Sequence, residues 1–119
     1  RPRPVDIFSN LCILTTMLRK WANVMKAMSD ETRLKILSLL FVNDAYVGEV
    51  AKKIGISPSV ASRHLRTLEN AGLVTRIKLG NRVKYRANRE KTEKMLGEMI
   101  EYLHRLEINQ KQEVTYGLD

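Results

Sequence analysis

The sequence is poor in cysteine, and its single one is Cys12. One cysteine excludes a disulfide within the chain and fits the reducing cytoplasm, where we expect this protein to work. No apolar run approaches the roughly 20 residues that span a bilayer, so we expect no membrane helix. The first residues lack the uninterrupted apolar segment of a secretory signal peptide, so we expect none.

Groups suited to catalysis are also scarce. The 119 residues include two histidines and one cysteine, with no glycine-rich phosphate loop and no catalytic set at a recognised spacing. We therefore expect a protein that is not an enzyme and holds no cofactor.

With 44% hydrophobic and 29% charged residues, the composition is that of an ordinary globular chain, long enough for one modest domain.

Positive charge, by contrast, is abundant and clustered. The formal net charge is +8, and residues 57–91 alone have a net charge of +7, against +4 for residues 1–56 and −3 for residues 92–119. Clustered basic charge is typical of proteins that bind nucleic acids. A generally basic surface that only keeps the protein in solution is the alternative.

The segment SPSVASRHLRTLENAGL, residues 57–73, has the start and stop signals of a helix. Ser57 is suited to the N-cap and Pro58 to the first helical position. Gly72 is suited to the left-handed residue that ends many helices. Apolar residues recur at helical spacing, which predicts that they face a core. They are Ala61, Leu65 and Leu68.

The other face of this helix has cations and short hydrogen-bonding groups but no acid. Phosphates attract cations, and forked donors can bond base edges in the major groove of DNA. We therefore interpret the helix as one that binds the major groove of double-stranded DNA. Its outer residues are Ser59, Ser62, Arg63, Arg66, Thr67 and Asn70.

The preceding sequence completes a helix-turn-helix over residues 47–71. A short helix is expected over residues 49–54, after an extended link over residues 45–47. An earlier helix is expected to run from an N-cap at Ser29 to about Phe41.

After the groove helix the apolar pattern alternates, which predicts a β-hairpin, or wing, over residues 73–87 with its turn at 79–82. On its first strand we expect Leu73, Thr75 and Ile77 to share one face. Cations near the tip and on the exposed face are expected to contact phosphates or an adjacent minor groove. They are Lys78, Arg82 and Lys84.

Apolar residues spaced by three and four predict long amphipathic helices over residues 5–28 and 89–111. Asn88 is suited to the N-cap of the second. Because these apolar stripes are wider than one small domain can cover, we expect them to form a homodimer interface. The expected interface residues are Leu11, Leu14, Leu18, Leu96, Met99, Leu103 and Leu106. Residues 1–4 are expected to be a disordered basic arm, and residues 112–119 a loose polar tail.

Together these elements predict an α+β fold, mainly α. The blocks SDETRLKILSLL (29–40), SPSVASRHLRTLENAGLV (57–74) and GNRVKYR (80–86) occur in the order and spacing of the ArsR/SmtB family of winged-helix transcriptional repressors. The chain resembles that family over about residues 20–108. The resemblance implies a homodimer that binds a palindromic operator and blocks transcription, often until a metal or another signal releases it. By position, it implies groove contacts from Ser57, Ser59, Val60, Ser62, Arg63 and His64.

The metal-binding residues of that family are largely missing. One branch has a Cys-x-Cys pair where residues 45–50 here have no cysteine, and soft metals select sulfur ligands. Another branch binds metal between its C-terminal helices, where this chain has Lys91 in place of one ligand. We expect no metal site, and the weak candidates are Glu93, His104 and Glu107.

Cys12 has two interpretations. On an apolar helix it is expected to be a small buried hydrophobe. The alternative is a redox contact, such as a disulfide between subunits, which requires exposure and a lowered pKa.

We take the chain to be a dimeric, sequence-specific DNA-binding repressor. One alternative is a sensor of the same fold that responds to a metal, an oxidant or a small molecule, with an effector that the sequence does not identify. The other is a winged-helix module used for protein contact or architecture.

Overall fold

The computed structural model describes the backbone of residues 11–117 and the side chains of residues 14–108. These residues form the helices α1 (Leu11–Met28), α2 (Glu31–Val42), α3 (Val47–Ile54), α4 (Pro58–Asn70) and α5 (Arg89–Gly117). The strands are β1 (Ala45–Tyr46), β2 (Val74–Leu79) and β3 (Arg82–Ala87), which form an antiparallel sheet in the order β1-β3-β2. The architecture is a winged helix-turn-helix, so the expected α+β, mainly α class is confirmed.

The core lies where α2, α3 and α4 pack together against the sheet. Ile36 of α2 and Val50 of α3 are fully buried. The inward residues predicted for α4 are confirmed, since Ala61, Leu65 and Leu68 are each 0% exposed. Because removing apolar surface from water is worth about 25 cal/mol per Å², this stripe fixes the rotation of α4 and turns its opposite face outward.

Glycine ends both helices of the helix-turn-helix. Gly55 and Gly72 have φ angles of +81° and +80°, in the left-handed region that favours glycine. Beyond Gly72, the Leu73 N–H donates to the Leu68 carbonyl at 3.0 Å, which is a Schellman closure. The predicted stop signal after α4 is therefore confirmed, and it fixes how the chain enters the wing.

One N-cap was assigned to the wrong residue. Asp30, and not Ser29, caps α2, because its Oδ1 accepts a hydrogen bond from the Arg33 N–H at 3.0 Å. Ser29 instead donates to the Lys26 carbonyl at 2.7 Å and closes the end of α1. Serine and aspartate are both favoured N-caps, so the sequence did not distinguish these neighbours.

The Asn88 side chain also has a different role from the one expected. It donates to the Gly72 carbonyl at 2.9 Å and accepts a hydrogen bond from the Thr75 hydroxyl, so it does not cap α5. These bonds tie the first residues of the wing to the start of α5.

The wing is formed by β2 and β3, joined by a turn at Gly80 and Asn81. Its expected inner face is wrong at Thr75, which is exposed, whereas Leu73 and Val74 are both buried. Leu73 precedes β2, and Val74 lies on the same face of the hairpin as the buried Tyr85, through the pairs Val74↔Ala87 and Arg76↔Tyr85. Alternation along the strand therefore turns Thr75 to the opposite face.

The apolar residues of α1 lie on two sides of the helix. Trp21, Val24 and Ala27 are buried in the domain, whereas Leu18 and Met25 are 42% and 47% exposed. The single seam predicted for this helix is therefore divided between the domain core and an outer surface. At 3.6 residues per turn, neighbouring positions of a heptad seam can face different partners.

The last helix is longer than expected and extends away from the core. It continues through Gly117, so it includes most of the segment expected to be a loose tail. The molecule measures 66 × 24 × 20 Å. Near the domain, α5 packs on α1 through Tyr102 and Trp21, whose ring centroids are 5.3 Å apart.

Gly72→Ala tests the turn that follows α4. The left-handed conformation costs a residue with a Cβ about 1–2 kcal/mol, and the new Cβ would lie 2.9 Å from the Lys91 Nζ. We expect a loss of that size in the free energy of unfolding, measured in urea. The control is Gly48→Ala in α3, where nothing lies within 4 Å of the new Cβ and no loss is expected, because alanine favours the helical conformation more than glycine does. Equal losses in the two variants would contradict this account.

Candidate nucleic-acid interface

One face of α4 points away from the core, and we call it the recognition face. Arg63 and Arg66 are exposed on it, and the half-buried Ser62 and Thr67 flank them on either side. The guanidinium groups of the two arginines are planar, and their N–H donors suit phosphates and the acceptor edge of guanine. The recognition face comprises Ser59, Ser62, Arg63, Arg66, Thr67 and Asn70.

Some of the predicted groove contacts also have a structural role. The Ser57 Oγ accepts a hydrogen bond from the Val60 N–H at 3.2 Å, which confirms Ser57 as the N-cap of α4. The Thr67 hydroxyl donates to the Arg63 carbonyl at 3.1 Å. Val60 itself is half-buried. The Ser59 hydroxyl also lies 3.3 Å from the Ser57 Oγ. The donors of this surface are therefore concentrated on its two arginines and on Ser62 and Asn70.

His64, an expected groove contact, is half-buried and faces α2. Its Nδ1 lies 3.4 Å from the Arg33 Nη1. A guanidinium has no acceptor, so this contact requires Nδ1 to be the unprotonated nitrogen of the ring. His64 therefore joins α4 to α2, and it is not part of the recognition face.

Arg33 links three helices and was missed by the sequence analysis. Its Nε donates to the Ala27 carbonyl at 2.6 Å and its Nη2 to the Lys26 carbonyl at 3.3 Å, so it satisfies the last turn of α1. Its own N–H bonds the Asp30 carboxylate, and this bond is the main reason why the pKa of Asp30 is lowered. The sequence places Arg33 in the first turn of a helix but does not indicate these long-range partners.

The wing places two of its predicted cations over an aromatic ring. Lys78 and Arg82 are exposed and Lys84 is half-buried. The Arg82 guanidinium carbon lies 3.6 Å from the centroid of the Tyr46 ring, and the Lys84 Nζ lies 5.5 Å from it. The sequence predicts these cations as DNA contacts, but no pattern in it indicates Tyr46.

An ion pair anchors the same strand further along. The Arg86 guanidinium donates to one Asp44 carboxylate oxygen from two nitrogens, at 2.8 and 3.0 Å. This hydrogen bonding lowers the pKa of Asp44 and raises the pKa of Arg86. Arg86 therefore holds β3 to the segment that precedes α3.

The expected dimer residues differ in their exposure within one chain. Leu14 is buried, Leu18 is 42% exposed and Leu103 is 62% exposed. The other members on α5 are half-buried, namely Leu96, Met99 and Leu106. The side chains of Leu11 and Cys12 lie outside the described residues.

The weak metal candidates are not brought together within the chain. Glu93, His104 and Glu107 are all exposed on α5, and at 1.5 Å per residue Glu93 lies about 16 Å along the helix from His104. Among the residues whose placement is described, no three His, Cys, Asp or Glu side chains could hold a metal ion.

In residues 11–117, no helix combines the length and apolar character needed to cross a membrane.

Comparison with known proteins agrees with this geometry. A family model described as "Bacterial regulatory protein, arsR family" matches residues 30–76, which extend from the N-cap of α2 into β2. The transcriptional activator HlyU of Vibrio cholerae is 39% identical over 83 residues, which are 70% of this chain and 73% of that protein. The chain belongs to the ArsR family.

Two further relatives place the ArsR-family chain among regulators of transcription. The transcriptional repressor SdpR of Bacillus subtilis is 32% identical over 83 residues, which are 70% of this chain and 92% of that protein. The solution structure of a homodimeric winged helix-turn-helix DNA-binding domain from Mycobacterium bovis matches with a TM-score of 0.64 and 30% identity, over 76% of this chain and 83% of that one. The resemblance found in the sequence is therefore confirmed.

Arg33→Met tests whether this arginine holds α1, α2 and α4 together. The change leaves the partly buried Ala27 carbonyl without its donor, whereas the exposed Lys26 carbonyl keeps its bond from the Ser29 hydroxyl. We therefore expect the free energy of unfolding to fall by about 1–3 kcal/mol. Lys35→Met is the control, because Lys35 forms only an exposed ion pair with Glu31 at 3.6 Å, worth at most about 0.5 kcal/mol. Urea unfolding measures both, and a loss no larger than that of the control would show that Arg33 is not a structural link.

Proposed function

We propose that this protein is a homodimeric regulator of transcription that binds a palindromic operator with α4 and the wing. The observation that supports this most directly is the recognition face, on which Arg63 and Arg66 are exposed above a fully buried stripe. The wing adds the exposed cations Lys78 and Arg82. Cations of this kind bind phosphates, and arginine is the side chain that most often bonds guanine.

Dimerisation is supported by the outer surfaces of the two long helices. Ile100 and Leu103 of α5 are 69% and 62% exposed in one chain, and Leu18 of α1 is 42% exposed. Large apolar side chains grouped on an exposed surface are typical of protein interfaces. A second copy of the chain would cover them, and its α4 would then enter the next major groove, about 34 Å along the same side of the duplex.

We propose repression as the outcome of binding, because a dimer seated on an operator excludes other proteins from the same DNA. Of the relatives, SdpR is named a repressor and HlyU an activator, and the proposal follows the first of these. Since its target is the chromosome, we place the protein in the cytoplasm. We assign it no enzymatic activity.

Arg63→Ala and Lys84→Ala separate base contacts from phosphate contacts. We expect Arg63→Ala to cost about 1–3 kcal/mol on a duplex selected by the wild-type protein from random DNA, and to reduce discrimination against a scrambled duplex. Lys84→Ala is expected to weaken binding to both duplexes alike and to lower the salt slope by about 1 for each subunit. Gel shifts over a range of salt concentrations measure both. If the two variants behave identically on both duplexes, the roles are wrongly assigned.

Leu103→Glu tests the dimer interface. Because Leu103 is 62% exposed, the glutamate should cost a single folded chain little, but a dimer would have to bury two like charges. We expect sedimentation to show a shift from dimer to monomer, together with loss of operator binding. Glu98→Lys, an exposed change on another side of α5, is the control and should leave the dimer intact. A Leu103→Glu protein that remains dimeric would exclude this surface as the interface.

A further inference from the structure

The Tyr46 ring lies beneath two cations of the wing. The Arg82 guanidinium carbon is 3.6 Å from the ring centroid, a distance at which the guanidinium rests against the ring face. The Lys84 Nζ is 5.5 Å from the same centroid. The DNA-binding cations at the tip and middle of β3 therefore share one aromatic support.

The backbone that holds this ring is fixed on both sides. Tyr46 lies opposite Lys84 in the pairing of β1 with β3. Its N–H donates to the Glu49 Oε1 at 3.0 Å, and the next residue begins α3. Two residues before it, Asp44 holds Arg86 of the same strand. Segment 44–46 thus contacts three alternate cations of β3 and leads directly into the helix-turn-helix.

A stacked arginine keeps its hydrogen-bonding capacity. The five N–H donors of a guanidinium lie in its plane and point from its edges, so a ring against one face leaves the donors available to a phosphate. A free arginine loses rotamer freedom when it binds, whereas Arg82 has lost much of that freedom on folding. The contact with Tyr46 therefore prepares Arg82 for binding without neutralising its charge.

We propose that Tyr46 is a positioning residue for DNA binding, and that its ring holds Arg82, with Lys84 beside it, in the orientation in which the wing meets the phosphate backbone. Tyr46 acts through these side chains and does not itself touch DNA. This inference rests on the proposed function, because it requires that the wing contacts the duplex. Through these contacts, Tyr46 would set the direction of the wing relative to α3 and α4.

A double-mutant cycle between Tyr46 and Arg82 tests the inference with the full chain. The probe is a duplex selected by the wild-type protein from random DNA, with a scrambled duplex beside it. A cation–π contact at an exposed site corresponds to about a twofold to fivefold effect for each wing, so we expect Tyr46→Leu to weaken a dimer with two wings about fivefold to thirtyfold. Tyr46→Phe keeps the ring and should bind like the wild type. In an Arg82→Gln background, Tyr46→Leu should cost less than twofold.

The salt dependence of binding distinguishes a variant that loses only the orientation of Arg82 from a variant that loses its charge. Tyr46→Leu removes no charge, so its salt slope should equal that of the wild type. Arg82→Gln should lower the slope by about 2 for a dimer, because one phosphate contact is lost in each wing. Phe41→Leu is the matched control, since Phe41 lies 5.4 Å beneath Arg89 outside the wing, and it should change affinity less than twofold.

Each outcome has a distinct meaning. If Tyr46→Leu binds normally, or costs as much in the Arg82→Gln background as alone, the positioning role is overturned while the wing contact stands. If Arg82→Gln has no effect, the wing contact fails and the inference fails with it. If wild-type protein binds neither duplex, the proposed function itself fails.

A second measurement covers the case in which Tyr46→Leu does not fold. In wild-type protein without DNA, NMR should show the Arg82 side-chain protons shifted upfield by the Tyr46 ring relative to those of the exposed Arg63. Arg82 signals at the position of the Arg63 signals would overturn the proposal without any variant.

Discussion

The burial of one stripe of α4 is the constraint on which the rest of the site depends. Ala61, Leu65 and Leu68 are completely removed from solvent, and they can be so only if the helix has one rotation about its axis. That rotation places Arg63 and Arg66 in solvent. The hydrophobic effect is not directional, but a stripe at helical spacing converts it into an orientation for the polar face.

Polar contacts then fix the neighbours of α4. Arg33 joins the end of α1 and the start of α2 to His64 on the inner edge of α4, so the long N-terminal helix and the groove helix share one support. On the other side, segment 44–46 holds the cations of β3 through an ion pair and an aromatic ring. The helix-turn-helix and the wing are thereby placed relative to each other before any DNA is bound, which lowers the ordering cost of binding.

Local signals predicted much of this architecture. Ser57, Pro58 and Gly72 marked the ends of α4 because capping depends on residues adjacent in sequence. Alternation predicted the hairpin, although Thr75 faces outward because its neighbour Val74 lies on the face that meets the core.

Apart from the N-cap of α2, where the sequence did not distinguish Ser29 from its neighbour Asp30, the omissions involve residues distant in sequence. Arg33 and His64 are 31 positions apart, and Tyr46 meets Arg82 only because β1 pairs with β3. Periodicity within a segment contains no information on such partners, which tertiary packing selects. The apolar stripe of α1 is divided for the same reason, since Trp21 packs on Tyr102 of α5 whereas Leu18 is exposed. The recognition face could be predicted because it is the side of α4 opposite its apolar stripe, and tertiary contacts leave that side exposed.

In the proposed dimer, the recognition faces of the two α4 helices lie in successive major grooves of one duplex. Methylation interference on a selected duplex tests it most directly, because guanine N7 lies in the major groove and adenine N3 in the minor groove. We expect methylation of guanine N7 to block binding in two clusters one helical turn apart, about 34 Å along one side of the DNA. Interference confined to adenine N3, or a single cluster of N7 positions, would contradict it.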